Sequence, residues 1–188
     1  MRDLIVTENI TLDGVIDATE GWFNVANDPD IDQTDLIETL REHTEAADGL
    51  LLGRVTFEQM RGYWPHQSDD PSGVSDYLNR VSKYVVSSTM QDPAWENTTI
   101  LNGPLNDEIQ ALKSQPGKDI VTTGSIKLVH ALINADLVDE YRLFVYPTVL
   151  GQGERLFPNA TRIPKLHLAE TRPFRSGITL LRYRPKTP

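Results

Sequence analysis

The chain of 188 residues is long enough to enclose one sizeable hydrophobic core and too short for two comfortable domains, so a single domain over residues 1–188 is expected. Its net charge of -9 and pI of about 4.9 argue against nucleic acid or an anionic membrane as partner, because either requires a basic surface. The absence of cysteine excludes disulfides, thiolate nucleophiles and cysteine-ligated zinc, and fits a cytoplasmic protein. Without a basic leader or a membrane-length apolar stretch, the chain is expected to be soluble and unprocessed.

Strand and helix patterns alternate through the first part of the chain. Residues 3–11 are apolar and β-branched and end at the turn signal Asp13-Gly14, which predicts a first strand. Residues 32–47 carry apolar side chains at helical spacing and predict a helix that Asp48-Gly49 closes. The apolar run 49–52 predicts a second strand that leads directly into another helix.

A long loop is predicted next, marked by Pro65 and by the turn residues 69–73, and loops of this length often form lids. Strand and helix units then resume, and two strands without an intervening helix end the chain. The predicted strands are 83–88, 98–101, 119–123, 140–150 with a break at Pro147, 165–170 and 178–183, and the predicted helices are 104–114 and 126–136. This order predicts an α/β fold whose mixed, mostly parallel sheet ends in an antiparallel hairpin and carries helices on both faces.

The junction between the second strand and the next helix predicts a phosphate-binding site. The first backbone N–H groups of a helix have no partner within it, and anions bind there. Gly53 permits close approach of a pyrophosphate, Thr56 offers a hydroxyl, and Arg54 offers the bidentate donor that suits the 2′-phosphate of NADP. The alternative is an ordinary turn glycine beside a solvated arginine.

Seven short motifs occur in order along the chain, most of them at strand ends or in the loops that follow. They are 11–14 (TLDG), 53–58 (GRVTFE), 63–65 (YWP), 87–88 (SS), 123–125 (TGS), 137–140 (LVDE) and 147–153 (PTVLGQG). As an ordered set they resemble the dihydrofolate reductase-like family, and in particular its branch similar to the C-terminal reductase domain of riboflavin-biosynthesis deaminase-reductases. The resemblance implies a three-layer dihydrofolate reductase-like fold and an NADPH-dependent oxidoreductase.

The resemblance also implies which residues contact the cofactor. Arg54 with Ser87 and Ser88 corresponds to the site for the adenosine phosphate end of NADPH, and the turn Thr123-Gly124-Ser125 corresponds to the site for the pyrophosphate. The family has a non-proline cis peptide bond in that turn, so one involving Gly124 is expected. The alternatives are local: the serines hydrogen-bond to their own backbone, Gly124 is a turn glycine, and Ser125 caps a helix.

Candidates for a catalytic carboxylate come from two places. Dihydrofolate reductases place a carboxylate on the first helix, where this chain offers Asp35 and Glu38. In the loop that resembles the riboflavin-pathway reductases, Asp13 is the polar group expected near the nicotinamide, with turn stabilisation as its alternative role. The aromatic pattern of true dihydrofolate reductases is absent, which argues against folate as the substrate.

Two functions remain open from the sequence. The first is an NADPH-dependent reductase that transfers hydride to a small heterocyclic or sugar-like carbonyl or imine, of pyrimidine or pterin type. The second is a catalytically silent NADP(H)-binding sensor or ligand-binding module. A phosphotransferase is weaker, because no P-loop lysine follows the glycine turn.

The sequence also gives expectations about partners and metals. The terminal hairpin carries Leu166, Leu168, Ile178, Leu180 and Leu181, and an uncovered edge there would favour pairing with a second copy. Together with the resemblance, this predicts a homodimer. The four histidines show no metal-ligand spacing, so no metal is assigned.

Overall fold

Eight strands form one sheet at the centre of the computed structural model, which describes residues 1–18, 21–23, 31–67, 73–158 and 165–186. The strands are β1 (Leu4–Thr11), β2 (Ala47–Gly53), β3 (Ser82–Val86), β4 (Thr98–Leu101), β5 (Asp119–Thr122), β6 (Glu140–Tyr146), β7 (Leu166–Pro173) and β8 (Thr179–Pro185). The α-helices of the described ranges are α1 (Thr34–Glu45), α2 (Arg54–Tyr63), α3 (Val74–Arg80), α4 (Leu105–Ser114) and α5 (Ile126–Asn134). A short 3-10 turn, Trp64–His66, follows α2.

The order of strands across the sheet is β4-β3-β2-β5-β1-β6-β8-β7. The strands β1 to β6 pair in parallel, whereas β8 is antiparallel to β6 and β7 is antiparallel to β8. Parallel neighbours require long crossovers, and helices supply most of them here. The predicted mixed sheet with an antiparallel hairpin at its end is confirmed.

The helices cover both faces of the sheet. On the front face, Leu36 of α1 packs in one cluster with Phe144, and Phe57 of α2 packs in another with Leu52. On the back face, the core cluster joins side chains of α4 and α5 with those of β1, β2 and β6. The front face therefore carries α1, α2 and α3, the back face carries α4 and α5, and the expected three-layer arrangement is confirmed.

Helix α3 lies where the sequence predicts only loop, and that part of the prediction is wrong. Leu78 is buried against the front face, with Val74 and Tyr77 partly buried beside it. These apolar residues have helical spacing, but the preceding proline and glycine signals obscure so short a helix. Residues 68–72 of the predicted loop lie outside the described residues.

Strand ends also differ from prediction. β2 begins at Ala47, because Asp48 is held in the sheet by the backbone N–H of Lys118 at 3.0 Å and by an ion pair with Arg2. β6 ends at Tyr146 rather than at residue 150, consistent with Pro147, which has no N–H to donate to a neighbouring strand. β7 extends to Pro173 at the edge of the sheet, where proline is tolerated.

A buried carboxylate organises the front face near the start of β6. Glu140 is completely shielded from solvent and accepts hydrogen bonds from Arg142, Arg182 and Arg184 at 2.7–3.0 Å. Burial pushes the pKa of Glu140 up, but the guanidinium groups of Arg182 and Arg142 outweigh it and hold the pKa at about 2. Glu140 is therefore ionised at neutral pH and balances arginines on two paired strands.

None of the helices in the described ranges is both long enough and apolar enough to cross a membrane.

Candidate functional site

The carboxyl ends of β2, β5 and β1 are the expected position of a ligand crevice, because the connections that leave them go to opposite faces. β1 and β2 lead to the front face, whereas β5 leads to α5 on the back face. Such switch points are where open α/β sheets bind ligands. β1 also pairs with β5 only from Leu4 to Val6 and then continues to Thr11 beside β6. The expected crevice therefore continues as a gap along the unpaired edge of β1, beside the turn that follows β5.

Two helix N-termini meet beside this crevice. The backbone N–H of Gly53, which precedes α2, donates to the carbonyl of Gly124 at 3.1 Å. A Cβ atom at Gly53 would lie 2.3 Å from Ser125 Oγ and 3.1 Å from the Ser125 backbone nitrogen, so only glycine permits this approach. Neither α2 nor α5 has a side-chain cap, which leaves their first N–H groups available to an anion.

The turn Thr123-Gly124-Ser125 has the backbone that the resemblance implied. The Gly124–Ser125 peptide bond is cis, and Gly124 has a backbone φ of +140°, which residues with a side chain rarely adopt. A Cβ atom at Gly124 would lie 3.1 Å from Thr56 Oγ1, so the turn of β5 lies directly against the first turn of α2. The expectation of a non-proline cis peptide involving Gly124 is confirmed.

A cleft of about 370 Å³ also lies beside the N-terminus of α2. It joins Arg54 to the residues that follow β3 and β4, so it brings together the arginine and the two serines singled out from the sequence. Its lining consists of Arg54, Val86, Ser87, Ser88, Thr89, Leu101, Asn102 and Gly103. The polar groups from the β4 end, including Asn102, were not predicted, because nothing in the sequence places that loop beside Arg54.

Arg54 is already in an ion pair within α2. Its guanidinium donates to both carboxylate oxygens of Glu58, at 2.9 and 3.1 Å, and both side chains are well exposed. An exposed pair at this helical spacing contributes only about 0.3–0.5 kcal/mol. A phosphate group can therefore replace Glu58 at little cost, and meanwhile the ion pair holds the guanidinium at the mouth of the cleft.

The two serines differ in their roles. Ser87 is buried, and its hydroxyl oxygen accepts hydrogen bonds from the backbone N–H groups of Thr89 and Met90 at 3.2 and 3.0 Å. Ser87 therefore shapes the turn, as its local alternative role suggested, while its hydroxyl hydrogen remains able to donate. Ser88 is exposed in the cleft lining.

Asp13 anchors a loop. Its carboxylate accepts hydrogen bonds from the Thr11 hydroxyl at 2.6 Å and from the backbone N–H groups of Leu150 and Gly151 at 3.3 and 2.8 Å. The Thr11 hydroxyl and the Gly151 N–H lower the pKa of Asp13 to about 2. A carboxylate this acidic carries no proton to transfer near neutral pH, so the geometry favours the turn-stabilising role.

The two carboxylates predicted on the first helix lie on α1. Asp35 accepts hydrogen bonds from the backbone N–H of Leu36 at 2.9 Å and from that of Arg175 at 3.1 Å, which ties the helix start to the β7–β8 turn. Glu38 is exposed to solvent. Asp35 therefore has a structural role in the described part of the chain, and Glu38 does not lie in an enclosed pocket there.

The sequence pattern of the RibD C-terminal domain matches residues 2–180. The chain belongs to that family. It is also 33% identical to YyaP, an uncharacterized protein of Bacillus subtilis, over 186 residues that make up 97% of this chain and 94% of YyaP.

Solved structures share the fold of this RibD C-terminal domain. One is a Thermotoga maritima diaminohydroxyphosphoribosylaminopyrimidine deaminase/5-amino-6-(5-phosphoribosylamino)uracil reductase, with a TM-score of 0.66 and 15% identity over 98% of this chain and 57% of that chain. Another is an Enterococcus faecalis dihydrofolate reductase complexed with NADP(H), with a TM-score of 0.62 and 19% identity over 97% of this chain and 95% of that chain. Both confirm the dihydrofolate reductase-like fold.

Two polar residues in the central strand of this RibD C-terminal domain were missed from the sequence. Asn9 is exposed at a point where β1 has passed the end of its pairing with β5, and in the register it lies beside Phe144, which places it on the front face. Glu8 is buried and lies on the back face between Val6 and Ile10. The available signal was the run Thr7-Glu8-Asn9, since three successive polar residues follow the apolar start of β1.

The histidines in the described part of this RibD C-terminal domain do not belong to a metal-binding cluster. Those ranges contain no group of three or more metal-ligating side chains. His43 of α1 lies over the arginine network, and burial together with Arg142 and Arg182 lowers its pKa to about 4. It is therefore neutral near neutral pH and packs edge-on to Phe144 at a centroid distance of 6.1 Å.

Proposed function

We propose that this protein is an NADPH-dependent reductase of small heterocyclic or sugar-like carbonyls and imines, of pyrimidine or pterin type. The observation that carries the proposal is the convergence of two uncapped helix N-termini with the Arg54 cleft at the switch point of the sheet. Membership of the RibD C-terminal domain family supports an oxidoreductase of this kind.

The residues present fit the chemistry of NADPH. The cleft supplies a guanidinium, the hydroxyls of Ser87, Ser88 and Thr89 and the amide of Asn102, which are donors suited to a phosphomonoester. The N-termini of α2 and α5 would hold the pyrophosphate, with Thr56 beside Gly124. The gap between β1 and the turn after β5 would receive the nicotinamide. When bound, the cofactor supplies the hydride, and the protein supplies alignment and exclusion of water.

Asn9 supports a heterocyclic substrate. Its exposed side chain lies on the front face of β1, beside the gap assigned to the nicotinamide. An amide both donates and accepts hydrogen bonds, as do the carbonyl and N–H edges of pyrimidines and pterins. The Thermotoga maritima and Enterococcus faecalis proteins are named as reductases of such rings, which supports the same class of substrate here.

Steady-state oxidation of NADPH tests this proposal, with a panel of ribosylaminopyrimidines, pterins and simple carbonyls as acceptors. We expect turnover with at least one pyrimidine or pterin. The second candidate, a silent NADP(H)-binding module, is favoured by the engagement of Asp13 and Asp35 in structural hydrogen bonds. Tight binding of NADPH without turnover of any acceptor would support that module and contradict the reductase.

Replacement of Arg54 by alanine is expected to weaken NADPH binding by about 10- to 100-fold and to leave NADH binding nearly unchanged. The reason is that a charge-assisted hydrogen-bonded pair with the 2′-phosphate contributes about 1.5–3 kcal/mol. Fluorescence titration of both cofactors measures the effect. Arg80→Ala is the matched control, because Arg80 is exposed on α3, outside the lining of the Arg54 cleft. Equal losses for NADPH and NADH would remove the assignment of Arg54.

Replacement of Asn9 by alanine is expected to raise KM for the accepted heterocycle about fivefold or more, with an unchanged Kd for NADPH. Loss of one hydrogen bond to the ring accounts for about 1 kcal/mol. Initial-rate kinetics and a separate NADPH titration measure the two constants. Asn106→Ala, an exposed asparagine on α4, serves as control. A variant with unchanged KM would show that Asn9 does not contact the substrate.

We also propose a homodimer that covers β7, an edge strand of the sheet. Leu168 on this strand is 50% exposed, whereas Ile178 and Leu180 are buried in the protein's own core. Leu168→Asp is therefore expected to convert a dimer to a monomer in size-exclusion chromatography with light scattering. Leu40→Asp, at an exposed position on α1, is the control. A wild-type protein that is monomeric at micromolar concentration would contradict the proposal.

A further inference from the structure

Glu8 is a buried carboxyl group in the central strand, and the proposed function leaves it without a role. Glu8 is only 8% exposed, and its neighbours on the same face of β1, Val6 and Ile10, belong to the core. Its carboxyl makes no hydrogen bond or ion pair with any described residue. An unpartnered buried carboxyl is costly, and such groups concentrate at functional sites.

The carboxyl oxygens of Glu8 reach solvent through a narrow opening. In the described ranges, every side-chain oxygen or nitrogen that is completely shielded from solvent has a hydrogen-bond partner. The oxygens of Glu8 have none, so they are not completely shielded. Because the residue is 8% exposed, the opening that reaches them is a crevice and not an open surface.

The register leaves the edge of β1 beside Glu8 unpaired on the side of β5, so the opening is expected there. Val6 lies opposite Thr122, the last residue of β5, and Glu8 lies two residues further along β1. On its other edge β1 stays paired with β6, with Glu8 beside Leu143. The remaining gap lies between β1 and the turn around Gly124. This is the gap that the proposed function assigns to the nicotinamide.

None of the described ionisable groups on the elements around Glu8 binds its carboxyl. The end of β5 and the turn after it carry none. The groups on the other adjoining elements are Tyr141 of β6, Lys127 and His130 of α5, and Asp17, Glu154 and Arg155 of the loops. His130 bonds to the carbonyl of Arg155 at 2.8 Å, and the Arg155 guanidinium faces Asp13 at 3.6 Å. Burial alone raises the pKa of Glu8 to about 8.

We propose that Glu8 senses the charge of the nicotinamide: the neutral acid accompanies the reduced cofactor, and the carboxylate accompanies the oxidised cofactor, whose ring is a cation. This inference rests on the proposed function. A nearby cation favours the ionised form of a carboxyl, so NADP+ lowers the proton affinity of Glu8 and NADPH does not. By linkage, NADP+ binds with release of a proton, and its affinity relative to NADPH rises with pH.

Calorimetric titration of NADP+ and NADPH between about pH 6 and about pH 9.5 tests the inference. In the wild-type protein, the affinity for NADP+ relative to NADPH is expected to rise about tenfold, which corresponds to a difference of one pKa unit between the two complexes. The ratio cancels the titration of the 2′-phosphate, which both cofactors carry. In Glu8→Gln the ratio is expected to stay constant. Glu96→Gln, the same change at an exposed position, is expected to behave as wild type.

A second measurement uses the wild-type protein alone and so does not depend on the folding of a variant. Calorimetry at about pH 7.5 in two buffers of different ionisation enthalpy measures how many protons are released when each cofactor binds. Release on binding NADP+ but not NADPH is expected. If the release is absent, or the pH dependence survives in Glu8→Gln, the inference is overturned while the cofactor site stands. If the wild-type protein binds neither dinucleotide, the proposed function itself fails.

Discussion

Replacement of Glu140 by glutamine is expected to lower the free energy of unfolding by about 3–5 kcal/mol, the cost of breaking a buried ion pair from one side. Glu140 is completely buried and compensates Arg142, Arg182 and Arg184. Glutamine keeps one acceptor oxygen and turns the other position into a donor that faces guanidinium N–H groups. The arginines would then remain near the core without their counter-charge.

Urea unfolding monitored by circular dichroism measures this loss. Glu42→Gln is the matched control, because Glu42 is 56% exposed and its pair with Arg172 at 3.2 Å contributes little. Acid adds a second readout. The pKa of Glu140 is about 2 in the folded protein, below its ordinary value of about 4.5, so its contribution is present above about pH 4.5 and is lost as the pH falls toward 2. A Glu140 variant as stable as the Glu42 variant would contradict the account of this network.

Replacement of Gly53 by alanine is expected to weaken NADPH binding by about tenfold or more and to destabilise the fold by about 1–3 kcal/mol, as overpacking does. The cause is steric, because Gly53 has an ordinary φ of -77°. The added Cβ atom would lie 2.3 Å from Ser125 Oγ, and movement of that hydroxyl alone leaves Ser125 Cβ at 3.0 Å and its backbone nitrogen at 3.1 Å. The turn after β5 must therefore move away from the N-terminus of α2, which separates the two proposed anion sites.

Gly62→Ala is the control for this change, because it lies on the same helix and an added Cβ atom there meets nothing within 4 Å. Alanine in a helix interior is favourable by about 0.5–1 kcal/mol relative to glycine, so this variant is expected to be slightly more stable and to bind NADPH normally. Thermal unfolding and NADPH titration compare the pair. Normal NADPH binding by Gly53→Ala would contradict the close approach as a requirement for the cofactor site.

The layers of the fold were predictable from the sequence, because buried parallel strands are continuous apolar runs and helices repeat at another period. The edges of these elements were not. Asp48 and Gly49 resemble a turn, yet Asp48 binds Lys118 and Arg2, and Gly49 leaves room for the Arg2 guanidinium, so both residues belong to β2. Long-range contacts of this kind have no local signal.

The candidate site was predicted in part, for a similar reason. Residues at the ends of strands were found because the motifs mark them, and the structure brings Arg54, Ser87 and Ser88 to one cleft. The proposed roles of Glu8 and Asn9 depend on where β5 stops relative to β1, which is a property of the register. The sequence also suggested Asp13 as a catalytic group, and its loop partners became visible only with the fold.

The carboxyl edge of this sheet is proposed as an NADPH site that recognises the 2′-phosphate. The most direct measurement is calorimetric titration of the wild-type protein with NADPH and, in parallel, with NADH, which lacks that phosphate. We expect one NADPH bound per chain, with NADH at least about tenfold weaker because it cannot form the charge-assisted pair with Arg54. Equal affinities for the two cofactors, or no binding of either, would contradict this site.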